Sequence, residues 1–408
     1  MIVSLKRVRR ATVRGGLVQI LRMTALSSIA ALLLSVLLLI GGNALVGVAT
    51  PLRAHIEGFS SLTVGLLGSA YFAGMLAGTL AAPAVVRRAG HIRAFAAFVA
   101  LAVVSVVLMP VFVSPSAWLV FRALIGCVFA GIYAVIESWI NAKAINSNRG
   151  SLYALYQIAN FTASAGGQML LQPLGPTGFP PFAVASALLA LAILPMAMTS
   201  VDPPAEPRSV RPRLLWLIRA APLSCLAALG AGAANGASFA LGPIFAVGVG
   251  MSSDKAPLFT SAIVIGSALG VFPVGALSDR VDRRLVMVVA MVAGAAVEIA
   301  LSRQAGPGTW LIALGFLVGV TTYTLYTLAA SLANDGASAN DLIFVSVGLL
   351  FIYCVAAIAA PAIASVLMQS FGPRALFLQN AVIHLAIAGA ALWRLIADAS
   401  RAAAQAAD

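Results

Sequence analysis

Along most of this chain apolar residues run in nearly unbroken stretches of about twenty, long enough to cross a bilayer as helix. The few charged residues, with many of the prolines, collect in the short segments between them. The pattern predicts twelve spans, beginning near residues 25, 61, 94, 117, 151, 180, 222, 257, 285, 309, 341 and 375. Hydrocarbon offers backbone groups no water, so each span must be a helix or a barrel strand, and these runs are too long and too uniformly apolar for alternating strands. Residues 201–213 interrupt the pattern with Asp202, Pro203, Pro204, Glu206, Pro207 and Pro212. The predicted organisation is an all-α membrane protein of twelve transmembrane helices. Its first half (1–200) has six helices and a basic N-terminal arm, a linker follows (201–221), and the second half (222–408) has six more.

Composition supports a membrane solvent. With 61% hydrophobic and 9% charged residues, too little polar side chain remains to cover a water-exposed globule. The net charge of +13 does not mark a nucleic-acid protein, because the basic residues are spread over many loops. Placing both termini in the cytoplasm puts twenty Lys and Arg there against four outside, with Arg122 inside the membrane, and this excess selects the orientation. The basic arm followed by an apolar run resembles a signal peptide, but the run continues to about Val48 and reads as the first permanent span. Cys127, Cys225 and Cys354 all fall within spans, so disulfides are not expected, and no spacing suggests a metal.

The two halves repeat each other in order. Asn43, Pro51, Ser69, Gly74 and Gly78 recur 192 residues later as Asn235, Pro243, Ser261, Gly266 and Gly270. Gly126, Tyr133 and Asn141 recur 193 residues later as Gly319, Tyr326 and Asn334. A same-direction repeat over half the length indicates two parallel copies of one helical unit, with a binding site expected at mid-membrane between them. The segment after span 8 reads Gly275-Ala-Leu-Ser-Asp279-Arg280-Val-Asp282-Arg283-Arg284. It resembles the cytoplasmic loop signature of the major facilitator superfamily, which implies an alternating-access transporter whose loop aspartate and arginines lock the helix ends. The first-half counterpart keeps Arg87, Arg88, Gly90, His91 and Arg93 but has arginine where the carboxylate stands in the second half.

Span 4 carries the most chemistry. A charge at Arg122 costs roughly 2.5–3.5 kcal/mol on insertion scales, so it should face a cavity or partner. At 100° per residue Tyr133 falls about 20° and Glu137 about 60° from it, and Gly126 lets a neighbouring helix approach that face. Arg122-x-x-x-Gly126, Tyr133, Glu137 and Arg149-Gly150 resemble the span 4 pattern of sugar porters, while Arg122-Ala-Leu-Ile-Gly126-Cys-Val-Phe-Ala130 resembles that of drug/proton antiporters. Span 5 adds the stripe Gln157, Asn160, Ser164 and Gln168, which either lines water or bonds neighbouring helices. The expected substrate pathway is Asn43, Arg122, Tyr133, Gln157, Asn160, Asn235, Tyr323 and Tyr326, with Asn43 and Asn235 meeting across the pseudo-two-fold axis. The expected gate is Arg87, Arg88, His91, Arg93, Glu137, Arg149, Asp279, Arg280, Asp282, Arg283 and Arg284, with Glu137 supplying the first half's carboxylate to Arg88 or Arg149. Glu298 and His384 lie in spans peripheral to the expected pathway and read as packing or interfacial groups.

The sequence thus predicts a carrier of a small organic solute in a bacterial inner membrane, without an enzymatic constellation, metal or cofactor. The proton gradient would be its coupling source, and it would work as a monomer within lipid. An uncoupled facilitator and a transporter-like ligand sensor remain open alternatives. Topology is directly testable: cysteines introduced at Ser4 and Ser209 should react only from the cytoplasm and one at Ser114 only from outside. Labelling of Ser209→Cys in intact cells by an impermeant reagent would reverse the orientation.

Overall fold

A computed structural model describes residues 2–143, 149–197, 212–304, 306–338 and 341–407. Side chains are described from residue 29 onward, except at positions 143, 149, 402, 403, 406 and 407. Among the described residues every regular element is a helix. Spans 1 to 5 are Ile2–Ile56, Ser61–Ala89, His91–Leu108, Pro115–Lys143 and Arg149–Met169. Span 6 is broken into Pro180–Leu191 and Ile193–Ala197. Spans 7 to 9 are Pro222–Gly248, Ala256–Ser278 and Arg283–Ser302. Span 10 is broken into Thr309–Thr322 and Leu325–Asp335, and spans 11 and 12 are Leu342–Phe371 and Ala375–Ala407.

Three features differ from the sequence expectation. The N-terminal arm is not a separate segment, because its backbone continues span 1 as one helix, of which Ile29–Ile56 is the membrane-length apolar part. The end of the linker forms a short helix, Leu214–Ala220, whose Leu217 packs under Gly348 while Leu215 and Ile218 stay exposed; residues 201–211 lie outside the described part. Eleven described helices are long and apolar enough to cross a membrane by composition alone, and Arg149–Met169 is not one of them. The polar stripe from Gln157 to Gln168 lowers its hydropathy, yet it packs against spans 1 and 8 as the twelfth. Protein contacts replace lipid contacts on that face, which is why a polar helix is tolerated there.

The sequence repeat is a repeated helix crossing. Spans 2 and 4 approach so closely that a Cβ on Gly74 or Gly78 would fall on the backbone carbonyls of Ala123 or Cys127, and one on Gly126 on that of Tyr71. Spans 8 and 10 do the same: Gly266 and Gly270 abut the carbonyls of Phe316 and Val320, and Gly319 abuts that of Ile263. Within a membrane, helices gain little from hydrophobic association, so close backbone packing at small residues carries the crossing. Side chains at these positions would have to separate the helices.

The basic loops define one face of the molecule, and the halves are sealed against each other on the opposite face. There Gly65 packs against Pro361 and Ser365, and Gly68 packs against Ala240. Ser261 Oγ, at the same end of span 8, donates to the Ala165 carbonyl of span 5 at 3.1 Å. Span 10 breaks at Tyr323 and Thr324, where the hydroxyls of Thr321, Thr322 and Thr324 bond to carbonyls three or four residues back and compete with the helical ladder.

Glycine-dependent crossing makes a direct prediction. Gly126→Ala and Gly319→Ala should each cost about 1–3 kcal/mol through overpacking and lower the melting temperature in detergent. Gly275→Ala, where an added Cβ would meet nothing within 4 Å, should leave it unchanged. Equal melting temperatures for all three would refute the crossing.

Candidate functional site

Spans 1, 2, 4 and 7 bring four side chains together between the halves. Arg122 is 3% exposed, and its guanidinium carbon lies 4.6 Å from the centre of the Tyr71 ring. The Tyr71 hydroxyl accepts from Asn43 Nδ2 at 3.1 Å. Phe239 of span 7 stacks at a tilt on Tyr71, ring centres 5.7 Å apart, and presses its edge on Gly47 of span 1. Arg122 Nε and Nη1 and Asn43 Oδ1 are buried without a hydrogen-bond partner among the described residues.

Tyr71 was not among the expected pathway residues, and it organises the cluster. The available signal was a hydroxylated aromatic three residues ahead of Gly74, on the face the glycines press against span 4. Phe239 gave no such signal, because an aromatic in an apolar span is ordinary core.

Asn43 and Asn235 do not form the expected pair. Each amide is engaged by a tyrosine instead, Asn43 by Tyr71 and Asn235 by Tyr353 of span 11. The repeat preserves each asparagine's position on its own span, but the tyrosines come from spans 2 and 11, which the repeat does not relate. Tyr326 meets Tyr353 edge-on at 5.3 Å, and Tyr133 lies tilted against Phe129 at 6.1 Å, so both expected tyrosines pack on aromatic neighbours.

In span 5 Gln157 is exposed, and Asn160 is half-buried and bonds to Tyr156. Gln168 is buried with its Oε1 unpartnered. It lines a small cavity between the halves, about 40 Å³, with Ser238, Phe239, Thr260 and Tyr323. On the second-half side Asn380 Nδ2 donates to Ser238 Oγ at 2.9 Å.

The second-half loop forms two ion-pair clusters on the basic face. Arg283 bridges Asp279 at 3.0 Å and Asp335, the last residue of span 10, at 2.7 Å. Arg284 bridges Asp282 at 2.9 Å and Asp398 of span 12 at 2.5 Å. Asp282 also caps span 9 by accepting from the Arg284 backbone N–H, and its hydrogen bonds to Arg284 hold its carboxyl below the ordinary aspartate value. All four pairs join second-half residues, so in this conformation the loop ties span 9 to the ends of spans 10 and 12. Asp335 and Asp398 were missed because neither lies near the signature in the chain. Arg280 is exposed outside both clusters.

The first-half gate residues do not assemble as expected. Glu137 is exposed and forms no ion pair among the described residues, while Arg87, Arg88 and Arg93 are exposed at the turn made by Gly90, whose φ is 79°. His91 is buried at the start of span 3, and the side chain of Arg149 lies outside the described part. Of the packing or interfacial roles expected for Glu298 and His384, burial excludes the interfacial one, and the two residues meet: His384 Nδ1 and Glu298 Oε2 lie 2.8 Å apart in the protein interior.

Comparison with known proteins agrees with this architecture. Residues 223–407 match the family model described as Major Facilitator Superfamily, and residues 20–176 match that described as Sugar (and other) transporter. The chain is 29% identical over 357 residues to the uncharacterized MFS-type transporter YcaD of Escherichia coli O17:K52:H18, covering 86% of this chain and 92% of that one. The YcaD protein of Shigella sonnei is similar to the same extent. Among solved structures, the nucleoside transporter NupG superimposes with a TM-score of 0.75 at 12% identity, covering 90% of this chain and 98% of that one. A bacterial homolog of the human lysosomal transporter Spinster, in an inward-facing and occupied conformation, superimposes with a TM-score of 0.73 at 15% identity over 90% and 95% of the two chains. At such identities these structures share the fold and nothing more specific. With its duplicated helix crossing, its loop signature and family matches in both halves, the chain belongs to the major facilitator superfamily and is a multi-pass membrane transporter of that type.

Proposed function

We propose that this transporter carries a small organic anion across a bacterial inner membrane by alternating access, with Arg122 binding the anionic group and the proton gradient as coupling source. The observation that carries this reading is the state of Arg122: buried, stacked on Tyr71, and with two N–H donors unpartnered. A cation over an aromatic ring gains about 0.5–2 kcal/mol. Each buried unsatisfied donor costs about 1–3 kcal/mol, more for a charged group, so the stack alone does not offset the arrangement. No described carboxylate forms an ion pair with Arg122 to complete it. An oxyanion accepting from Nε and Nη1 would supply the missing charge and both acceptors, in the forked geometry that guanidinium favours. Asn43 and Tyr71 would then orient the rest of the solute.

The basic face is assigned to the cytoplasm by the positive-inside rule, with both termini on that side. The seal at Gly65, Gly68 and Ser261 then lies outside. Among the described residues the ion pairs of the basic face lie within the second half and do not tie the cytoplasmic ends of the two halves together.

A thermal-shift panel of organic carboxylates, phosphate esters, neutral sugars and nucleosides on the purified protein should give stabilisation by a member of the anionic classes. Uptake of that solute into proteoliposomes should then follow. Arg122→Gln should lower uptake at least about tenfold, the equivalent of about 1.4 kcal/mol, at unchanged membrane expression, and Arg122→Lys should restore little of it. Stabilisation by neutral solutes alone, or normal uptake in both variants, would overturn the assignment. Binding without flux would make the protein a sensor instead.

A further inference from the structure

We propose that Glu298 of span 9 and His384 of span 12 form a proton-binding site, connected through Tyr323 and Asn380 to the cavity between the halves. The proposal deepens the proton-coupled reading above, which by itself names no group to carry the proton.

The pair is closed to solvent on both sides, each side chain about 1% exposed. Among the described ion pairs it is the only one so enclosed; the others lie at helix ends with at least one partly exposed partner. Burial leaves few acceptable charge states. A lone carboxylate in the interior costs several kcal/mol, so the enclosed pair must hold one proton between its two members and be neutral overall. In the dry interior the proton rests on the carboxyl, giving a carboxylic acid beside a neutral imidazole, because this form avoids two buried charges. Loss of that proton leaves a carboxylate accepting from a neutral imidazole, with net charge −1, and such a state requires water or a compensating charge nearby.

A pair serving only to join two helices would be expected to have its polar atoms satisfied. Here Glu298 Oε1 and His384 Nε2 are both buried without a partner among the described residues. Each is an open hydrogen-bonding position that a water can fill, Nε2–H as donor and Oε1 as acceptor.

Two polar side chains lead from the pair to the cavity. Tyr323 of span 10 lies within electrostatic range of Glu298 and lines the cavity, at the break that the threonine hydroxyls create in that span. Asn380, one helical turn before His384, donates to Ser238 on the cavity wall, and its own Oδ1 is unpartnered. The cavity, about 40 Å³, has room for one or two waters, and Gln168 supplies a further unpartnered polar atom on its first-half side.

The charged and titratable surroundings are sparse. Span 10 presents Tyr323 with Thr321 and Thr322 beside it, and span 11 presents Tyr353 and Cys354 beyond Tyr323. Span 7 presents Ser238 and no ionisable group at this level. Along the pair's own spans the nearest fixed charges are Arg303, five residues from Glu298, with Arg374 and Arg394 each ten residues from His384, the first two at the sealed face and Arg394 toward the basic face. Nothing nearby is placed to neutralise a bare Glu298 carboxylate, so its proton occupancy must follow its hydration. The dry packing of spans 9, 10 and 12 seen here is the packing of the protonated pair. Release of the proton requires water to reach it, and the cavity that Tyr323 lines is where the halves separate when access changes sides.

The test uses full-length protein in lipid nanodiscs and needs no solute, so its outcome is independent of the Arg122 assignment. Infrared difference spectra on stepping pH from about 5 to about 9 should show the carbonyl stretch of a protonated carboxylic acid disappearing in the wild type. Glu298→Gln, which mimics the protonated carboxyl, should lack that band, and His384→Gln should shift its midpoint by about one pH unit or more. Spin labels at Leu62 and Phe371, on the two sides of the seal, should report a distance distribution that changes with pH in the wild type and stays at the sealed distance in Glu298→Gln. A wild-type protein with no titrating carboxylic acid over this range overturns the proposal without recourse to any variant. So does a band that persists unchanged in Glu298→Gln, or a seal whose pH response is the same with and without Glu298.

Discussion

The exclusion of water from the bilayer core is the constraint on which this structure depends. Backbone groups there can be satisfied only within a helix, and side-chain polar groups only by each other, by trapped water or by a ligand. Most polar groups in the spans obey this strictly. The serines and threonines of spans 2, 3, 8 and 10 return their hydroxyls to carbonyls three or four residues back, and Ser261 reaches across to span 5. Against that background the unpartnered atoms stand out. Several of them share a neighbourhood: Arg122 with Asn43, Gln168 on the cavity wall, and Asn380 with the Glu298 and His384 pair; Ser35 and Ser186 are isolated cases elsewhere in the first half.

The same constraint explains how the helices are held. With lipid as apolar as leucine, a crossing is stabilised by close contact and not by hydrophobic exclusion, so the tight points of the fold are glycines against carbonyls. Spans 2 and 4 and spans 8 and 10 make that contact in the same way, and the crossing places Arg122 beside Tyr71. A site that must hold a guanidinium within reach of one aromatic ring depends on this spacing. It is set by the absence of side chains at Gly74, Gly78 and Gly126.

The halves share architecture but divide the chemistry. The first half supplies a fixed cation at the centre, the second supplies a titratable pair behind the cavity, and the loop clusters formed by Arg283 and Arg284 belong to the second half alone. Phe239 crosses from the second half to touch Tyr71, and Gln168 faces Ser238 and Tyr323 across the cavity. Movement of one half against the other therefore alters the surroundings of Arg122 and of Tyr323 together. Under the proposed function, this would let solute and proton occupancy influence each other.

The sequence by itself determined the solvent, the helical class and the duplication, because each of these is written in local composition or in a fixed offset. Apolar length reports lipid, and recurring glycines at one spacing report a recurring close approach. It also marked Arg122, since a charge in a span is anomalous wherever it points. What it could not determine was pairing between distant positions. The repeat suggested Asn43 with Asn235, whereas the fold gives each a tyrosine from a different span. The loop signature named Arg283 and Arg284 but not Asp335 and Asp398, which close the clusters from helices that begin some 40 and 90 residues further along. Glu298 and His384 are separated by 86 residues and carry no local sign of each other. Their contact exists only because spans 9 and 12 pack side by side, and partners set by packing become visible only in three dimensions.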